Sequence, residues 1–161
     1  MASDELDLDS LLIRTQGMSL LEARRLAREY YEKYCVRSEI RTHDCQRVWF
    51  HSNRFDHAFS RDAACRGGTK DEIDLLRVER LHWIPELVGG RIRSSVCRSV
   101  MDKDPNRGSS RLYMIDSECY VVWLLPRDDG DWAFSTAYKA YTYQMKKYRD
   151  LGPIIWKGKW K

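Results

Sequence analysis

The chain changes hydrophobic period near its midpoint, and that change constrains the fold more than any single motif. Up to Gly90 the apolar residues recur at helical spacing; beyond it they gather in short β-branched and aromatic runs. In "SLLEARRLAREYYEKYC", Leu20, Ala23, Ala27, Tyr30, Tyr31 and Tyr34 share one side, while Ser19 and Glu22 make a capping box. This predicts an amphipathic helix over 20–35. A second capping box, Thr69 with Glu72, opens a helix carrying Ile73, Leu76, Val78 and Leu81. Pro85 begins or kinks its last turn, and Gly89 and Gly90 stop it. Between the two, Val48, Trp49 and Phe50 suit the end of a short strand. Asn53 suits a cap, and Phe55, Ala58 and Phe59 suit a short helix carrying His57.

In the second half, "RLYMID", "CYVVWLLP" and "WAFSTAYK" read as a three-stranded antiparallel meander. They are joined through "SE" and through "RDDGD", an Asp-Gly hairpin signal. "RIRSSVCRSVM" adds a strand before them. Helices first and sheet second define an α+β domain with about three to four strands. At 161 residues one domain is expected over 18–150, with 1–17 a flexible acidic leader and 151–161 a basic-aromatic tail.

Net charge is +4, a mild preference for anionic partners, but the distribution is polarised. Asp4, Glu5, Asp7 and Asp9 crowd the start, whereas Tyr138 to Lys161 holds seven basic residues against Asp150. No apolar run approaches the ~18 residues of a membrane span, and the acidic start is unlike a secretory signal, so a cytoplasmic protein without membrane contact is expected. Five cysteines (35, 45, 65, 97 and 119) without a CxxC pair suggest reduced thiols.

GxGxxG, P-loop, HExxH and GxSxG motifs are absent, and His43, His51, His57 and His82 match no metal spacing, so neither cofactor nor metal is expected. The remaining signals are cationic and aromatic. Arg54 and Arg61 flank His57 in "RFDHAFSRD", Arg77 and Arg80 recur in the second helix, and Tyr138, Tyr141, Tyr143 and Tyr148 interleave with Lys139, Lys146 and Lys147. Cations neutralise phosphates and aromatic faces stack on unpaired bases, which suits single-stranded nucleic acid. The plainer alternative is that the tyrosines are core or rim residues and the lysines solubilise.

The segments "NRFDHAFSRD", "KDEIDLLRVERLHWIPEL", "RLYMIDSECYVVWL" and "DWAFSTAYKAY", in this order, resemble the phage- and mobile-element-associated branch of the barnase–EndoU–colicin–RelE superfamily of nucleases. The resemblance covers roughly residues 47–143. It implies N-terminal helices packed on a curved antiparallel sheet, metal-independent ribonuclease activity against tRNA or other structured RNA, and a toxin role with an antitoxin or immunity partner. It assigns a hydroxyl or aromatic polar residue on the last strand, hence Thr136 and Tyr138, with Ser135 in reserve. His57 suits general acid or base work. Arg54 or Arg61, with Arg80, suits a bidentate clamp on the phosphate, and Lys139 and Tyr141 extend the substrate surface. Simple strand alternation puts Phe134, Thr136 and Tyr138 on one face and Ser135 and Ala137 on the other. The departure is that no second histidine takes a partner position; His82, beside Trp83 and Ile84, reads as packed. A binding module without catalysis, part of a phage or mobile element, is the competing class. An ADP-ribosyltransferase is disfavoured, because no glutamate follows Ser135.

Overall fold

The computed structural model describes residues 7–60 and 72–158. Among them one sheet contains β1 (Ile40–Arg41), β2 (Arg47–Trp49), β3 (Ser95–Met101), β4 (Ser109–Ile115), β5 (Tyr120–Pro126), β6 (Trp132–Lys139) and β7 (Ile154–Lys157). The strand order is β1-β2-β6-β5-β4-β3-β7. The helices are α1 (Leu20–Tyr31), α2 (Phe55–Phe59), α3 (Leu75–Glu79), α4 (Trp83–Val88) and α5 (Thr142–Tyr148).

The mixed α+β class agrees with the sequence reading, but the sheet has seven strands rather than three or four. The meander β4–β5–β6 and the preceding β3 lie where the β-branched and aromatic runs and their turn signals placed them. The additions come from the segment after α1 and from the basic tail. Strands of two to four residues carry too few side chains to show a period, and their pairing is set by tertiary context. Nor is the sheet wholly antiparallel: β2 runs parallel to β6 through Val48 opposite Trp132 and Trp49 opposite Ala133.

Ser19 caps α1 as expected, its hydroxyl accepting from the Glu22 amide at 3.1 Å. Regular α-geometry ends at Tyr31 and a wider π turn, Glu32–Val36, carries the segment on. The second helix is shorter and later than its pattern suggested. Thr69 lies outside the described residues, and the cap is Asp74, whose carboxylate accepts from the Leu76 amide at 3.0 Å. Ile73 instead bridges Ser60 as an isolated strand pair. After Glu79 the chain turns, and α4 starts with Pro85 in its first turn, where a missing N–H costs nothing.

Helices α1 to α4 cover one face of the sheet. Tyr31 is fully buried there among Phe50, Phe55, Phe59 and Phe134, and its hydroxyl donates to the His51 carbonyl at 2.8 Å. The acidic segment expected as a loose leader joins this layer over its described part: Ile13 is buried and its amide donates to the Glu79 carbonyl, and the Trp83 indole donates to Leu8. α5 covers part of the opposite face through Met145, over Leu112, Met114 and Val121.

A β-bulge changes the reading of β6. Trp123 pairs with Thr136 and Leu124 with Phe134, so Ser135 is supernumerary. Phe134 and Ala137 therefore both enter the core beneath α1 to α4, while Tyr138 packs on the α5 face. Grouping Phe134 with Thr136 and Tyr138, as strict alternation does, is thereby corrected.

The tail is an edge strand, β7 against β3. Its Trp156 stacks on His43, from the β1–β2 turn, with ring centroids 4.7 Å apart. Elements from opposite ends of the strand order thus touch, and the sheet is curled.

Candidate functional site

β6 loses its neighbour half way. β2 pairs only with Trp132 and Ala133, so from Ser135 to Lys139 that side of β6 faces helices rather than a strand. α2 and α3 pack along this open half.

Arg54, at the start of α2, takes the place of the missing strand. Its Nε donates to the Ser135 carbonyl at 2.7 Å and its Nη2 donates to the Ser135 hydroxyl at 3.1 Å. The bulge makes this possible, because it turns one residue's carbonyl and side chain toward the edge together. His57 stands three residues after Arg54 on helical backbone, so the two are neighbours with Cβ atoms roughly 5–6 Å apart. Phe55, Ala58 and Phe59 anchor α2 in the core, which leaves Asp56 and His57 exposed. Asp56 is ion-paired with Arg24 of α1.

Further along the edge, the Arg77 guanidinium lies 5.3 Å from the centre of the Tyr138 ring and also donates to the Ala58 carbonyl at 3.1 Å. Tyr138 reaches the other face, where its hydroxyl accepts from the Trp123 indole at 3.2 Å and lies 2.6 Å from the Tyr148 hydroxyl. Ser135 and Thr136 line an open groove of 480 Å³ beside this cluster, with Trp123, Ser110, Val100 and Lys103.

The structure thus brings Arg54, His57, Ser135, Thr136 and Tyr138 to one strand and its flanking helix. Arg80 is not among them. Its guanidinium lies over Trp83 at 5.1 Å and donates to the Leu76 carbonyl at 3.1 Å, inside the helical layer. The reason is the helix break: α3 stops at Glu79, so Arg80 leaves the direction that a continuous helix would give it. Arg77 pairs with Asp74 at 3.5 Å and also faces the Tyr138 ring. Tyr138 sits at the site, but its hydroxyl is engaged internally, which weakens a role in substrate contact. Lys139 and Tyr141 are exposed at the far end of β6. Arg61 lies outside the described residues. His82 is packed as expected, between Tyr30 and Tyr34 at 5.4 and 5.1 Å.

A second polar cluster, which no sequence signal marked, closes the curled sheet. Arg111 grips Asp44 through two bonds of 2.7 Å, and its Nη1 donates to the Tyr113 hydroxyl at 3.4 Å. That hydroxyl lies 2.8 Å from His43 Nδ1. The phenol oxygen can accept from Arg111 and still either donate to or accept from the imidazole. Burial lowers the His43 pKa, and the Arg111 hydrogen bond holds the Asp44 carboxyl far below the usual carboxylate range.

Burial pushes the Cys35 and Cys97 thiols up to about 12, which leaves them protonated and poor nucleophiles. Among the described residues no group of three or more His, Cys, Asp or Glu is placed to hold a metal. No family model matches the chain, and neither does any curated protein or solved structure.

Proposed function

We propose that the chain is an endoribonuclease that cleaves RNA without a metal, at the open half of β6. One observation supports the reading: the Arg54 guanidinium is fixed on Ser135, three residues before the exposed His57 on the same helical segment. His57 takes the proton of the 2′-hydroxyl, whose oxygen attacks phosphorus. The P–O5′ bond breaks and a proton returns to O5′, leaving a 2′,3′-cyclic phosphate and a free 5′-hydroxyl. Arg54 and Arg77 offset charge on the phosphoryl oxygens, and the Ser135 and Thr136 hydroxyls donate to them. The exposed Arg25 and Arg37, in a 400 Å³ groove along α1, add positive potential near α2. Structured RNA such as tRNA is the substrate class, the protein acts as a toxin in the cytoplasm, and an antitoxin or immunity protein is its partner.

Purified protein incubated with total tRNA in excess EDTA should yield fragments ending in 2′,3′-cyclic phosphate. His57→Ala should lower the rate about 10²–10⁴-fold, the range of a general acid or base. Cleavage that stops on chelation, or that His57→Ala leaves intact, overturns the assignment. Binding without cleavage favours the second reading, a non-catalytic module of a phage or mobile element. The observation on that side is Tyr138, whose hydroxyl is already committed to Trp123 and Tyr148.

A further inference from the structure

Two tyrosines at the exit of β6 are left outside the packing that absorbs their neighbours. Tyr138 and Tyr148 are tied together on the α5 face, and Met145 anchors the helix in the core. Tyr141 and Tyr143, by contrast, are 62% and 69% exposed. Their rings are nonetheless ordered against one another, 5.7 Å between centroids and 8° from parallel. At the start of α5 the Tyr141 amide donates to the Gln144 side chain at 2.9 Å.

Two parallel rings in water form a flat apolar face that the described residues leave open. Lys139, Lys146 and Lys147 follow or precede these tyrosines by two to four residues, all exposed, and among the described residues none is held in a salt bridge. Several arginines elsewhere are held by carboxylates instead, as in Arg149 with Asp116 and Arg111 with Asp44. An aromatic face accompanied in sequence by such lysines matches the two parts of an unpaired nucleotide: a flat base and a phosphate. A duplex keeps its base faces covered and offers only the charge.

We propose that Tyr141 and Tyr143, with Lys139, Lys146 and Lys147, form a stacking platform for unpaired bases of single-stranded RNA. Lys139 ends β6 three residues beyond Thr136, ~10 Å at the rise of a strand, so a strand lying on the platform runs toward the β6 edge. The choice of RNA rests on the ribonuclease reading; the stacking itself does not. On that reading the preferred cleavage positions lie in loops or single-stranded ends.

The test uses a fluorescently labelled 2′-O-methyl oligouridine, which lacks the attacking hydroxyl, so binding is read apart from cleavage. Anisotropy titrations in EDTA should show tighter binding to this strand than to a duplex of equal length. Tyr141→Leu/Tyr143→Leu should weaken it about tenfold or more, as expected from lost base stacking, with unchanged circular dichroism. Substituting the three lysines by serine should reduce the slope of log affinity against log salt by about 2. Equal binding by the tyrosine variant, equal affinity for duplex, or no oligonucleotide binding at all overturns the platform; the last result points to a protein ligand. Tyrosine-dependent binding together with uncleaved tRNA supports the platform and overturns the enzyme.

Discussion

Ser135 shows how much one residue decides. It is the extra residue of a bulge, and without it Arg54 would meet an ordinary strand edge with a carbonyl but no hydroxyl beside it. Arg54→Lys should therefore be a severe change: a lysine has one donor centre where the guanidinium holds two partners in a plane. On the proposed reading we expect cleavage about 10²-fold slower in a folded protein, measured as kcat on a tRNA substrate. Arg80 provides the contrast. Its side chain is 12% exposed, its Nε is buried without a hydrogen-bond partner, and it lies over Trp83. Arg80→Gln should change thermal stability and leave the rate per folded molecule near wild type. A large rate loss there would mean that the two arginines have been assigned the wrong way round. The residue types at the site were legible before the structure, because histidine, arginine and hydroxyls in short runs carry recognisable chemistry. Which arginine faces β6 was not, since that depends on a helix break after Glu79 that no glycine or proline announces.

Among the elements, β4, β5 and β6 were legible because their seven or eight residues form β-branched and aromatic runs bounded by turn signals. β2 was legible at Val48 and Trp49, though not its parallel pairing with β6; β1 and β7 were not, because such short strands owe their existence to neighbours that come from distant sequence. β7 is held by close backbone packing rather than by side-chain pattern. A Cβ on Gly152 would lie 1.9 Å from the Ser99 carbonyl oxygen, and one on Gly158 would lie 2.2 Å from that of Arg93. Both contacts are with backbone of or beside β3, which cannot swing away as a side chain can. Gly152→Ala is therefore expected to cost about 1–3 kcal/mol, with the loss read by thermal or denaturant unfolding. An unchanged midpoint would show that β7 docks less closely than described. The Trp156 indole, half-buried over His43, should also become more exposed in that variant, by fluorescence.

For the whole molecule, the seam of His43, Asp44, Arg111, Tyr113 and Trp156 ties the first turn of the sheet to its middle and last strands. Its pH response follows from burial. His43 and His82 both titrate below the ordinary value of 6.5, chiefly through desolvation. A base with a depressed folded pKa takes its proton more readily in the unfolded chain. Stability is thus complete above about pH 6.5 and falls as the pH drops through that value toward the lower folded values. Asp44 and Arg111 remain paired until far lower pH, so that bridge of the seam persists through this window. Unfolding midpoints should fall between pH 7 and 5 in the wild type and fall less in His43→Gln/His82→Gln; a flat wild-type profile would refute this. The seam has a further consequence for synthesis. His43 and Trp156 are separated by most of the polypeptide, so the ribosome has released the early turn long before the indole that stacks on it exists. The curled wall can close only when β7 emerges, and until then a nascent chain should hold α1 and the meander without a finished sheet.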